Sequence, residues 1–413
     1  MPWKETHVHD LRIAFIAGYL EHDLSMAELC RSFGISRKTG YKFVQRYQTF
    51  GPQGLHDLKP IPHHQPLAVV EATLKLIIAL RTDHPFWGPK KVRSEIEKHH
   101  PRMHCPAAST IGAILDRAGL VVSRKRRRRV QASLLPVLSP PEAPLATMTA
   151  DFKGQFVLRD GQTCYPLTVC DAYSRMILRC QALASPSFAA VYPLFVAIFR
   201  EYGLPQVIRT DNGAPFATHA RGGLSQLSVW WIKLGILPQR IEPGHPQQNG
   251  RHERMHRVLK QEAISPPAAN VAAQQRAFDH FVEEYNYVRP HQALGQNTPV
   301  SYFAPSPRRY PLRLPKIEYP SGMEVRSVRT DGCIRWNGEM LFVSETLVGE
   351  PVAFDPIADH LSVLYFGPVA LAVLDTRTDN WLPPKQAARI LNRLSQEDDD
   401  RAQNCNPGAR SKL

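Results

Sequence analysis

Three acidic residues, Asp151, Asp211 and Glu253, carry the chemistry this sequence offers. Asp151 lies inside TMTADFKGQF and Asp211 follows VIRT, each on or at the end of an apolar, β-branched stretch that reads as a strand. Glu253 falls in the first turn of a basic helix fed by the Pro/Gly-punctuated run HPQQNG. Alone, Asp211 before Asn-Gly reads as a turn former, and Glu253 as a complement to the helix dipole. Together the three make an all-oxygen ligand set. Mg²⁺ favours such a set, because it binds through a few carboxylates and keeps waters and substrate phosphates as its other ligands. Two such ions about 4 Å apart would activate a nucleophile at neutral pH and neutralise the leaving oxygen of a phosphodiester. The chemistry implied is metal-dependent phosphoryl transfer, with Mn²⁺ as a substitute and no zinc.

The chain that positions these residues has 413 amino acids, 43% hydrophobic, with 36 prolines, enough for two or more packed domains and several linkers. A formal charge of +14 points to a polyanionic partner, since Lys and Arg that neutralise phosphates release counterions. Nucleic acid comes first; basicity alone also fits a membrane surface. No apolar run approaches the roughly eighteen residues of a spanning helix, and MPWKETHVHD has no signal-peptide core. The sequence therefore predicts a soluble cytoplasmic protein with no membrane partner. Cys30, Cys105, Cys164, Cys170, Cys180, Cys333 and Cys405 are odd in number and scattered, which argues against a disulfide framework.

Residues 1–58 read as a helix-turn-helix domain. Ser25 caps SMAELCRSFG, Gly34 closes it, and Ser36 caps SRKTGYKFVQRYQTFG, which Gly51 ends. Arg37, Lys38, Lys42 and Arg46 would then face the major groove and phosphates. A second helical unit spans 66–122, with Lys90 and Lys91 as candidate DNA contacts and Arg93 beside them. Its Trp87 fits a Trp-Gly turn of a second helix-turn-helix or ordinary core equally well. A basic and Pro-rich linker follows at 123–144, whose run RKRRRR, including Arg126, Arg127 and Arg128, would track a DNA backbone. Over 145–305 strands alternate with helices. A small β-barrel of about five strands is predicted over 320–376, then a polar, partly disordered tail at 377–413.

The wording around the three acids resembles the DDE transposases of bacterial insertion sequences, within the retroviral-integrase superfamily. The matching residues are Asp-Asn-Gly at 211–213, then Pro246, Asn249 and Glu253 in the spacing P-x-x-N-x-x-x-E, then Lys260 two helical turns on. YNYVRPHQALGQNTP at 285–299 is similar to the end of the family's core, and Asp171 and Ser174 also match a family stretch, which we expect to shape a turn. The resemblance implies a multidomain α/β protein with a ribonuclease H-like catalytic core, N-terminal all-α helix-turn-helix domains and a C-terminal small β-barrel. It assigns catalysis and metal binding to Asp151, Asp211 and Glu253, with Asp151 bridging the ions, and DNA phosphate contact to Lys260 and Asn249. Departures are Met148, where relatives often carry an aromatic residue, and a longer Asp211–Glu253 interval, the excess falling in THARGGLSQLS, residues 218–228. Retroviral integrases also carry an N-terminal His/Cys zinc module, for which His63, His64, His99 and His100 lack a cysteine pair.

The expected function is transposition: binding of an element's terminal inverted repeats, Mg²⁺-dependent 3′-end cleavage, and strand transfer into target DNA by a homodimer or larger assembly in the bacterial nucleoid. The alternatives are a metal nuclease of ribonuclease H type without strand transfer, and a domesticated DNA-binding regulator.

Overall fold

The computed structural model describes residues 8–57, 69–121, 141–218, 221–241, 250–391 and 393. Arg126, Arg127, Arg128, Pro246 and Asn249 lie outside the described residues. The chain forms two compact units, Met1–Val70 and Glu71–Leu413.

The first unit holds α1 (Val8–Leu20), α2 (Met26–Ser32) and α3 (Arg37–Phe50). Ser25 and Glu28 cap α2 reciprocally, Gly34 turns the chain at φ +65°, and the Ser36 hydroxyl accepts from the Thr39 amide to start α3. The helices close on Phe15, Ile16, Leu29, Cys30 and Val44, with Leu55 from the turn after α3. Gly40 lets α2 and α3 cross closely, because a Cβ there would stand 2.5 Å from the Cys30 sulfur. Arg37, Lys38 and Lys42 are exposed on α3, whereas Arg46 lies over the Phe43 ring and donates to the His56 carbonyl.

The second unit begins with α4 (Glu71–Asp83), α5 (Pro89–His99) and α6 (Ala108–Arg117). Trp87 is 1% exposed and stacks on His84, so it is core. The mixed sheet follows: β1 (Thr147–Phe152), β2 (Phe156–Val157), β3 (Thr163–Asp171), β4 (Ile177–Leu183), β5 (Val207–Thr210) and β6 (Leu237–Arg240). Its order is β4-β3-β1-β5-β6, with β2 paired to the start of β3; the β4, β3 and β1 neighbours are antiparallel, and β1, β5 and β6 are parallel. The helices are α7 (Phe188–Tyr202), α8 (Gln226–Lys233), α9 (Gly250–Leu259) and α10 (Val271–Glu283). Helices α7 and α8 cover one sheet face around Met148, Ala150, Phe195, Phe199 and Trp231, while α9 and α10 cover the other through Met255, Leu259, Phe278 and Phe281. Each fully buried side chain of this size contributes roughly 1.5–3 kcal/mol. Met148, the departure from the family's aromatic position, is fully buried in the α7/α8 core.

Helices α4–α6 dock on the end of this core. The His84 ring and Glu284 carboxylate lie 3.0 Å apart, Lys98 Nζ donates to the Gln296 carbonyl at 2.7 Å, and Arg289 pairs with Glu262. Asn286 binds both the N–H and the carbonyl of Ile177 on β4, so the segment read as closing the domain does tie its end to the sheet.

The C-terminal strands are β7 (Glu324–Ser327), β8 (Cys333–Trp336), β9 (Glu339–Phe342), β10 (Pro351–Ala358), β11 (Leu361–Phe366), β12 (Val369–Asp375) and β13 (Asn380–Trp381). The expected β-barrel is only partly formed. Five strands make an open antiparallel sheet, β13-β12-β11-β10-β7, and β8 pairs with β9 alone. Its apolar face is covered by Leu224, Val229 and Ile232 from α8 and the segment before it, which takes the place of closure on itself. Residues 222–228 of the insert thus form a buttress: a Cβ on Gly222 would meet Leu371 at 2.6 Å, and Thr346 Oγ1 donates to the Leu224 carbonyl. Order continues past residue 376, because Trp381 stacks near Phe354 and adds β13.

Candidate metal centre

Side chains alternate across β1. Met148 and Ala150 point into the α7/α8 core, so Thr149 and Asp151 face α9. Parallel pairing of β1 with β5 sets Thr149 opposite Arg209, and two residues further along both strands come Asp151 and Asp211. The Asp211 carboxylate also accepts from the Gly213 amide at 3.2 Å, the Asx turn its Asp-Asn-Gly wording suggested. Glu253 is delivered by the first turn of α9. Asp151 feels the other two acids: burial, then Asp211 and, more weakly, Glu253 push its carboxyl up to about 7, opposed by a backbone hydrogen bond at Phe152 and by Lys153. Oxygen donors of this kind fit a hard dication, whose charge would offset the repulsion felt at Asp151, although Asp211 and Glu253 stand outside the tight group of ligand atoms around Asp151.

Two histidines that the sequence reading passed over share this pocket. His252 and His256 are 3% and 6% exposed, and with Asp151 they form a group whose ligand atoms lie within 4.8 Å. The Thr168 hydroxyl, paired in register with Asp151, touches the Asp151 carbonyl at 3.0 Å, His252 Nε2 at 2.6 Å and His256 Nε2 at 2.7 Å. A hydroxyl donates once and accepts twice. The carbonyl can only accept, so it takes the Thr168 proton and both imidazoles donate through Nε2–H. His252 Nδ1 is then an acceptor, met by the Thr149 hydroxyl at 2.9 Å. His256 Nδ1 is left as a bare lone pair 3.9 Å from Asp151 Oδ2. Burial keeps both rings neutral, His252 down to about 3 and His256 to about 2, the latter helped by His252 and Lys153. The available signal was the i, i+4 histidine pair in RHERMHR, on the helix face next to Glu253.

Of the expected DNA contacts, Lys90 and Lys260 are exposed. Lys91 is half-buried against Arg289, Glu262 and Glu284, and burial followed by Arg289 lowers its pKa to about 7. Its environment is the seam between α5 and the core.

Comparison with known families matches residues 141–246 and 234–299 to two integrase core domain models, residues 11–63 to a helix-turn-helix domain and residues 39–115 to a homeodomain-like domain. Residues 141–299 match the core domain of the integrase superfamily. The resemblance to insertion-sequence transposases of that superfamily is borne out. The chain is 25% identical over 242 residues to the insertion element IS476 uncharacterized 39.2 kDa protein of Xanthomonas euvesicatoria, covering 58% of the chain and 66% of that relative. It is 28% identical over 159 residues to an uncharacterized Caenorhabditis elegans protein, covering 38% of the chain and 11% of the relative. Among solved structures it is similar to the HTLV-2 integrase catalytic core domain in complex with magnesium, at 14% identity and TM-score 0.31, over 39% of this chain and 97% of that one. It is also similar to a chain of the simian T-cell lymphotropic virus intasome, at 15% identity and TM-score 0.35, over 75% and 99%. Among the described residues, no helix is long and apolar enough to cross a membrane.

Proposed function

We propose that this chain is a DNA transposase: it binds the ends of an insertion sequence through its N-terminal helices and, with Mg²⁺, cleaves 3′ ends and transfers them to target DNA. The electrostatic coupling of Asp151 to Asp211 and Glu253 carries this reading, because acids from the end of β5 and from α9 that act on one buried carboxyl are an arrangement a cation would stabilise. The integrase core domain supports an enzyme of the polynucleotidyl-transferase kind. Divalent ions, when bound, supply activation of the attacking hydroxyl and neutralisation of the leaving oxygen.

The protein's own residues define the rest. Asp151 and Asp211 would hold the ions from the sheet and Glu253 from the helix. Neutral His252 and His256 add no competing positive charge beside them. Exposed Arg37, Lys38 and Lys42 on α3 fit major-groove and phosphate contact. Because two element ends must be joined together, the working form on DNA is a dimer or larger.

The test is a strand-transfer assay with DNA from the flanks of the coding region, run with Mg²⁺, Mn²⁺ or EDTA. Joined products with metal and none in EDTA support the reading. Cleavage without joining would point to a nuclease of ribonuclease H type, and metal-independent joining would sink the metal-centre assignment.

A further inference from the structure

The turn between β3 and β4 holds an arginine where glycine is the ordinary choice. Arg175 sits at φ +68°, a left-handed backbone that crowds any Cβ. The turn is built without the arginine's side chain. Asp171, fully buried, accepts from the amides of Leu145 at 3.0 Å, Tyr173 at 3.3 Å and Ser174 at 2.9 Å, and from the Ser174 hydroxyl. The Arg175 amide donates to the Asp171 carbonyl at 2.9 Å.

The charged neighbours of Arg175 are themselves arginines. Arg251, on the first turn of α9, reaches the same turn and donates Nη1 to the Ala172 carbonyl at 3.0 Å. Arg254 folds back along that helix, Nε to the Gly250 carbonyl at 3.2 Å. Burial first, then Arg251, with a smaller contribution from Arg254, lowers the affinity of Arg175 for its proton. Among the described residues none of the three has an ion pair with a carboxylate. Backbone strain and like-charge crowding at one place are both unfavourable, and such a combination persists where a ligand repays it.

We propose that Arg175, Arg251 and Arg254 form a seat for a DNA backbone phosphate beside the metal centre, on the helical turn that carries Glu253. Planar guanidiniums suit bidentate phosphate contact. The turn is joined to the start of β1, where the Ala172 amide donates to the Thr147 carbonyl at 3.0 Å. Asp151 lies four residues further along that strand, about 13 Å away. A phosphate seated that far from Asp151 is not the reacting one but lies a few nucleotides along the same bound DNA, so the seat sets the register of the strand across Asp151. This inference rests on the proposed handling of DNA.

The experiment uses the full chain in EDTA, which removes catalysis from the readout. Anisotropy titrations of a labelled random-sequence duplex over a range of salt compare the natural chain with Arg175→Gly and Arg254→Gln, and thermal melts without DNA accompany them. Arg175→Gly relieves the backbone, so its melting temperature should equal or exceed that of the natural chain while affinity falls about five- to tenfold and the log–log salt slope drops by about 1. Arg254→Gln should reduce the slope equally. Unchanged affinity and slope in Arg175→Gly, or a lowered melting temperature, would overturn the proposal, as would displacement of the duplex by inorganic phosphate at matched phosphate concentration. A natural chain that binds no duplex would instead defeat the functional reading beneath it.

Discussion

His256 Nδ1 faces Asp151 Oδ2 across 3.9 Å, and both groups favour their uncharged forms. The contact is therefore not a salt bridge. It is an imidazole lone pair set beside a carboxyl group that burial and two neighbouring acids push toward protonation. In the metal-free pocket Asp151 answers that environment by holding its proton up to about pH 7.

The pH dependence of metal-free stability follows from these groups. The folded-state value of Asp151 is raised from 3.8 to about 7, so its contribution is present at low pH and is lost as pH rises toward 7. His252 and His256 are lowered from 6.5 to about 3 and about 2, so theirs is present above about 6.5 and is lost as pH falls. Between about pH 4.5 and 6 these three groups bind two protons in the unfolded chain and one in the folded. They therefore raise stability by about 1.4 kcal/mol per pH unit. Asp151→Asn should steepen the measured slope by one proton, and His256→Asn should flatten it by one. Denaturant unfolding in EDTA across that range reads both, and slopes equal to the natural chain's in both variants would refute the assignment.

Thr168→Val should leave two buried imidazole N–H groups without an acceptor and cost about 2–4 kcal/mol. Thr168→Ser keeps the hydroxyl and should recover most of that loss. Comparison of the two by chemical denaturation separates the hydrogen-bond role from simple packing, since equal losses would mean the hydroxyl is idle.

Glu253→Gln removes the charge of a proposed ligand from an exposed position on α9 without disturbing the core. DNA binding should persist while Mg²⁺-dependent cleavage and joining fall by at least a hundredfold. Calorimetric titration should also show weakened Mg²⁺ binding. Retained strand transfer would remove Glu253 from the centre.

Arg289 and Glu262 pair at 2.5 Å with side chains 7% and 13% exposed, beneath the seam where α5 meets the core. Arg289→Ala strands the Glu262 charge and should cost about 3–5 kcal/mol. Hydrogen exchange should quicken in α5 and in 284–291 together. Faster exchange in one alone would show that the seam does not transmit the loss.

Much of this protein is legible in local signals. Ser25, Gly34 and Ser36 set the boundaries of α2 and α3, because caps act through neighbouring amides. Period-2 alternation in TMTADF separates Met148 and Ala150 from Asp151. The 218–228 insert reads as a plain loop, since nothing within it announces that Leu224 will be covered by strands more than a hundred residues away. Lys91 reads as a free cation for the same reason: its partners Glu262, Glu284 and Arg289 are remote in sequence.

The order of residues alone singled out three acids as a candidate set and named the elements that carry them, because motif spacing and hydrophobic period are local properties of the chain. Only the tertiary structure decided what surrounds those acids. Thr168 meets His252 and His256 because antiparallel pairing brings β3 under α9, and Arg175 meets Arg251 because a strand turn and a helix start arrive at one corner. The protonation of buried groups depends on how many charges and how little water lie within a few ångströms, and packing of distant segments sets both.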